Sequence, residues 1–195
     1  MYDNLARDGW RDPLGQELIN GRPVLMVPAP PRHTHIAGNI YGVFWRHLRG
    51  RTCVPFPDGT IVQLSEKDRF VPDFMLVCDR SKIGAQQIEG APDLVAEVLS
   101  PGTASRDKWE KKNAYEAAGV PEYWIVSPLE KTIEVYLLQE GRYVLDHLYT
   151  HFSPQEQEEL KVHPPEDRPE VVASFRCHLY DDLDICLDDI FGDLF

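Results

Sequence analysis

Hydrophobic positions along the chain switch between a period of two and a period near 3.6, and the switches mark the elements. Glu17-Leu18-Ile19 and Val24-Leu25-Met26-Val27 flank Asn20-Gly21, a dipeptide that accepts positive φ, so the pattern predicts a short hairpin. Pro28-Ala29-Pro30-Pro31 breaks it. Ile36, Ile40, Val43, Phe44 and Leu48 then recur at three and four residues, which predicts a core-facing helix. Short strands are expected at Thr52–Pro55 and Ile61–Leu64, and a stronger one at Phe74-Met75-Leu76-Val77 after Phe70-Val71-Pro72.

The best-defined unit follows. Leu94-Val95-Ala96-Glu97-Val98-Leu99 is an apolar strand with one carboxylate inside it, and a helix is expected from about Ser105 or Asp107 to Ala118. Asp107 and Glu110 have capping-box spacing, while Gly119 and Pro121 supply the stop. Tyr123-Trp124-Ile125-Val126 reads as the next buried strand. Strand, helix and strand suggest a crossover unit. Thr132–Leu138 and Tyr143–Tyr149 read as a hairpin. Residues 153–170 are rich in Glu, Gln and Pro and are expected to form a surface excursion of low order. A strand near Val171–Phe175 and an acidic helix over Asp181–Phe195 would end the chain, with Leu183, Leu187, Ile190, Phe191 and Leu194 on one helix face. The expected class is α/β, or α+β with a mixed sheet, in one domain over 1–195.

Composition sharpens this outline. The chain has 195 residues, 43% of them hydrophobic and 27% charged, in the ordinary range for a soluble globular domain. Residues 1–15 look like a polar lead-in without a basic head or apolar run, and no stretch approaches the ~18 apolar residues of a membrane span. Secretion and membrane insertion are not expected, and a cytoplasmic protein is. Net charge is −12. Residues 151–195 carry −9 of it, from twelve acidic and three basic side chains. The absence of a strongly basic face counts against direct DNA binding, although a bound cation can supply positive charge locally. Cys53, Cys78, Cys177 and Cys186 lack zinc spacing and are expected to be reduced, buried thiols.

Two carboxylates stand out. Asp73 follows Pro72 at the mouth of an apolar strand, and Glu97 interrupts another, where an unpaired charge is costly. Together they could converge on one hard cation such as Mg²⁺. Equally, Asp73 could cap a turn and Glu97 face solvent. Lys111 bears on the choice: Asp107, Lys111 and Tyr115 are four residues apart and share a helix face. An ammonium group near two acids and a metal can hold a phosphate or orient a water, whereas a plain surface pair of Asp107 and Lys111 is the alternative. No G-x-S-x-G elbow and no phosphate-binding G-x-x-x-x-G-K-[ST] loop is present.

Val71-Pro72-Asp73, the block Pro92-Asp93-Leu94-Val95-Ala96-Glu97-Val98-Leu99-Ser100-Pro101, and Asp107…Lys111…Tyr115…Gly119-Val120-Pro121-Glu122-Tyr123-Trp124 resemble the Uma-type family of restriction-endonuclease-like proteins, a branch of the PD-(D/E)XK nuclease superfamily. Glu17-Leu18-Ile19-Asn20-Gly21 resembles the family's N-terminal hairpin, and Pro30-Pro31 before His35 its first helix. The resemblance covers roughly residues 15–150 and the final helix.

The resemblance implies a restriction-endonuclease-like core, a mixed sheet flanked by helices, and metal-dependent phosphodiester cleavage. Asp73 would be the acid of the PD motif and Glu97 the second acid. Leu99 stands where the superfamily has lysine, so Lys111 is the expected substitute. On this reading Asp73, Glu97 and the Val98 carbonyl hold Mg²⁺ or Mn²⁺, Lys111 acts on the water or the phosphate, and Tyr115 or Glu17 positions Lys111. His35 matches the family pattern at the helix start. The expected partners are nucleic acid, DNA first, and a second copy of the chain in a homodimer, for which the Trp and Tyr content leaves room for a self-complementary face, while the C-terminal acidic helix is expected to bury Leu187, Phe191 and Leu194. A non-catalytic binding module that keeps the nuclease fold is the rival.

Overall fold

The computed structural model describes residues 15–102 and 104–194. Apart from Gly15, the expected polar lead-in lies outside them. Strands β1 (Gln16–Ile19) and β2 (Arg22–Leu25) form the N-terminal hairpin, with Asn20 at φ 50° and Gly21 at φ 75°, as a tight two-residue turn requires. Helix α1 (Pro31–Leu48) starts with proline at its first turn, where the missing N–H costs nothing. It buries Ile36, Ile40, Val43, Phe44 and Leu48, the positions that predicted it.

A six-stranded mixed sheet is the centre of the structure. Its order is β11-β10-β9-β8-β6-β3, where β3 is Val54–Pro57, β6 Phe74–Val77, β8 Leu94–Val98, β9 Glu122–Ser127, β10 Thr132–Gln139 and β11 Arg142–Thr150. Only β8 and β9 pair in parallel within it, joined by the expected helical crossover. A smaller sheet, β2-β1-β5-β4-β7, adds β4 (Val62–Gln63), β5 (Arg69–Phe70) and β7 (Ile88–Glu89).

Strand alternation divides the core into two layers. Phe74, Leu76, Leu94, Ala96, Val98, Trp124 and Val126 pack towards α1. Met75, Val77, Val95, Tyr123 and Ile125 pack the other way, with Phe70 of the small sheet and Tyr115 of the crossover. Glu97 has the parity of Val95, so the strand itself turns its carboxylate towards the crossover helix.

That helix starts close to Ser105, the earlier of its two expected starts, and not at Asp107. Helical backbone is present at Ala104 and Ser105, continues as a π-helical turn over Arg106–Lys111, and becomes α2 (Lys112–Ala118). Asp107 is therefore not an N-cap but a buried residue inside the helix, and the capping box with Glu110 does not form. Gly119 at φ 86° closes α2, as expected. The capping box of this chain sits elsewhere: Ser153 and Glu156 cap α3 (Pro154–Leu160), so part of the 153–170 excursion is helical, though none of α3 is buried.

The C-terminal region also differs. β12 (Ser174–Arg176) pairs with β13 (Asp184–Cys186), and only Leu187–Phe191 is helical, as α4. Leu183, Leu187, Ile190 and Phe191 are buried all the same, because they close the layer over α1. The expected burial of Leu187 and Phe191 thus takes place within the chain. Cys53 and Cys78 are joined in a disulfide rather than reduced. The register that pairs Val54 with Val77 brings these two cysteines opposite one another, a proximity that sequence spacing does not reveal. Cys177 and Cys186 are free thiols. Among the described residues no helix is long and apolar enough to cross a membrane.

Candidate active site

Glu97 projects from β8 under the crossover helix and is 2% exposed. A carboxylate so deep needs partners, and the helix supplies them. Lys111 Nζ lies 3.1 Å from Glu97 Oε1, and the Tyr115 hydroxyl donates to the same oxygen at 2.8 Å. Asp107 and Lys111 are themselves 3.7 Å apart. Three buried side chains at a strict spacing of four would drift around an ideal α-helix; the wider π-helical turn holds them on one face, a device common at functional sites.

Glu17 reaches the same ammonium from β1, with Oε1 at 2.8 Å from Lys111 Nζ. That oxygen also accepts the Val71 N–H at 3.0 Å. The hairpin is thereby tied to the segment that leads into Asp73. Lys111 also lies 5.7 Å from the centre of the Phe70 ring.

Asp73 stands just before β6. Its Oδ2 accepts the Val98 N–H at 2.7 Å and lies 3.2 Å from His33 Nε2. His33, in the first turn of α1, is buried. Burial opposes its charge, but the Asp73 carboxylate outweighs this and raises its pKa. Asp58, in the turn after β3, borders the same cleft; burial and the Asp73 charge raise its pKa.

Glu17, His33, Asp58, Asp73, Glu97 and Lys111 line one cleft of about 370 Å³, together with residues 25–30, Arg106 and Asp107. Burial, together with Asp107, Asp73 and Glu17, holds Glu97 well above the usual carboxylate range, against the pull of Lys111. Burial opposes the charge of Lys111, but Glu97, Glu17 and Asp107 prevail and keep it well above the ordinary lysine value. The cleft thus contains more carboxylates than its one ammonium can balance, the electrostatic condition in which a bound cation is favoured.

Among the described residues no three His, Cys, Asp or Glu side chains form a ready cation cage. The donor set nonetheless suits a hard ion. The contacts of Glu97 fall on Oε1 and those of Asp73 on Oδ2, which leaves a second oxygen on each. With the Val98 carbonyl beside them, the donors are all oxygen, as Mg²⁺ or Mn²⁺ prefers.

Six expected residues, Glu17, Asp73, Glu97, Val98, Lys111 and Tyr115, come together around this cleft. Glu17 touches Lys111, whereas Tyr115 touches Glu97 instead. His35 does not border the cleft; His33 does. The signal for His33 was in the helix period, since it lies three residues before Ile36 and seven before Ile40, on the buried face. Asp58 carries no comparable signal, because only the β3–β6 register brings it opposite Asp73.

Nothing among curated proteins matches the chain. Among solved structures it is similar to a "putative nuclease belonging to DUF820" from Anabaena variabilis ATCC 29413, at 18% identity and a TM-score of 0.63, over 92% of this chain and 91% of that one. The likeness covers most of both chains and shows a shared fold. The Uma2 family model, described as "Putative restriction endonuclease", matches residues 8–168. That span includes every acid of the cleft, Lys111 and the crossover unit, and the chain belongs to the Uma2 family.

Proposed function

We propose that this protein is a divalent-cation-dependent nuclease that hydrolyses phosphodiester bonds, with DNA as its substrate and the cytoplasm as its place of work. The observation that carries this reading is the lysine on the crossover helix, 3.1 Å from Glu97, at a cleft that also holds Asp73. An ammonium there does the work that a lysine two residues beyond Glu97 would do, a position that Leu99 fills.

Asp73, Glu97 and the Val98 carbonyl would hold Mg²⁺ or Mn²⁺. When bound, such an ion supplies Lewis acidity, making water a better nucleophile near neutral pH and offsetting charge on the phosphate. The chain's own groups do the rest. Lys111 stays charged and faces the developing charge on the pentavalent phosphorus or orients the attacking water. Glu17 fixes the ammonium, Tyr115 fixes Glu97, and His33 fixes Asp73. Arg106 at the rim adds positive charge for the nucleic-acid backbone.

The rival reading, a binding module that has lost catalysis, draws on the commitment of Glu97 Oε1 to both Lys111 and Tyr115. A cleavage assay separates the two. Supercoiled plasmid and single-stranded DNA are incubated with purified protein and Mg²⁺ or Mn²⁺, with Asp73→Ala and Glu97→Ala as controls. Cation-dependent nicking that both substitutions abolish supports the nuclease. Cation binding without cleavage of either substrate supports the rival. A homodimer belongs to this proposal, since two copies would let two sites act on two strands; light scattering that finds only a 22.3 kDa species at micromolar concentration counts against it.

A further inference from the structure

The Cys53–Cys78 disulfide occupies one end of a ladder whose other end reaches the cleft. Val54 pairs with Val77 and Pro57 with Phe74. One step outward at the first end are the two cysteines, and one step outward at the second are Asp58 and Asp73. β3 is a four-residue edge strand paired with β6 alone. A strand this short, held on one side alone, opens more readily than a central strand, and a covalent tie at its end opposes that opening. The two sulfurs are not equivalent. Cys78 is held from behind, its N–H donating to Asp93 Oδ2 at 2.7 Å, whereas Cys53 sits where the loop enters the edge.

Cys53 also borders a second surface groove, of about 500 Å³, together with Tyr41, Trp45, Arg49, Arg51 and Arg80. The Arg80 Nε donates to the carbonyl of Thr52, next to Cys53, at 2.9 Å. Arg49 lies over the Trp45 ring at 5.3 Å. Arg51 is paired with Asp182, but among the described residues neither Arg49 nor Arg80 forms an ion pair. In a chain of net charge −12 this is a local positive concavity around a disulfide. Such surroundings concentrate anions and favour thiolates.

We propose that the Cys53–Cys78 bond is a thiol–disulfide exchange site for small thiols that carry carboxylates, and that opening it loosens the β3 edge that brings Asp58 opposite Asp73. The incoming thiolate attacks Cys53 Sγ. A bond forms between those two sulfurs, the Cys53–Cys78 bond breaks, and the electron pair leaves on Cys78 Sγ, which takes a proton from water. A second thiolate then attacks its own kind in the mixed disulfide and releases Cys53. In sum the protein disulfide gains two electrons and two protons, and two small thiols are oxidised to one disulfide. The inference goes beyond the nuclease reading and does not depend on it.

The test uses the full chain with glutathione, which carries two carboxylates, and with 2-mercaptoethanol, which carries none, at matched thiolate concentrations. Samples are quenched with acid, alkylated and mapped by mass spectrometry. Opening about threefold or more faster with glutathione, through a mixed disulfide on Cys53, is the expected result. That preference should fall to parity in Arg49→Ala/Arg80→Ala and in the milder Arg49→Gln/Arg80→Gln. Equal rates in the unmodified chain, no opening at all, or a mixed disulfide on Cys78 would overturn the exchange site. Hydrogen exchange reads the second part without any cleavage assay. The Val54 and Phe56 amides should exchange at least about tenfold faster in the reduced chain while β8 and β9 stay unchanged; unchanged exchange in β3 would overturn the coupling.

Discussion

Lys111 on the crossover helix and Glu17 on the N-terminal hairpin meet at 2.8 Å, each less than a tenth exposed, and this contact ties the small sheet to the large one at the cleft. The ammonium faces three carboxylates, so removing it leaves buried acids without a counter-charge. Lys111→Ala is expected to lose about 3–5 kcal/mol of stability at pH 7. The loss should shrink at pH 5, where those acids can take up protons instead. Urea unfolding at the two pH values measures it, and a loss below about 1 kcal/mol at pH 7 would show that the cluster is not held by this lysine.

Tyr115 isolates a single hydrogen bond. Its ring packs against Phe70 and Tyr123, and Tyr115→Phe keeps that packing while removing the donor to Glu97. A bond to a charged acceptor is worth about 1.5–3 kcal/mol. Stability should fall by that amount, and cleavage should slow because Glu97 is less well fixed. A variant as stable and as active as the unmodified chain would mean that the hydroxyl does not serve Glu97.

The two histidines at the start of α1 give a paired comparison. His33→Ala removes the partner of Asp73, and cleavage is expected to drop about tenfold or more, the equivalent of one hydrogen bond to a charged group. His35→Ala should change it by less than about threefold. The opposite order, measured on the same plasmid substrate, would put the functional histidine at 35.

Glu122 offers a pH test away from the cleft. It is 1% exposed and accepts from Trp124 Nε1 and the His178 N–H. Burial, only partly offset by those bonds, raises its pKa from 4.5 to about 6. A raised acid binds its proton more tightly in the folded chain. The stability it contributes is therefore complete below about pH 4.5 and lost as pH rises through about 6. Relative to Glu122→Gln, the unmodified chain should lose on the order of 2 kcal/mol across that window. Thermal or urea unfolding of both proteins at pH 4.5 and 6.5 reads the difference; a constant difference would contradict the shift.

Much of this was legible in the sequence because periodicity reports faces. The parity of Glu97 with Val95 and the spacing of Lys111 and Tyr115 both point inward, and strand, helix and strand bring them together. Asp107 escaped because a D-x-x-E pattern looks alike at a helix start and inside a π-helical turn. Asp58 and the Cys53–Cys78 pair depend on the register of β3 against β6, which is long-range information that local pattern does not carry. Residues 184–186 form a strand within an apolar pattern that also fits a helix, and only the pairing with β12 decides between them.

Titration calorimetry of Mn²⁺ into the unmodified chain, Asp73→Asn and Glu97→Gln bears most directly on whether these two acids share an ion. Binding of Mn²⁺ by the unmodified chain, weakened by about tenfold or more in each variant while both remain folded, is the expected result. Binding that is unaltered in both variants would contradict it.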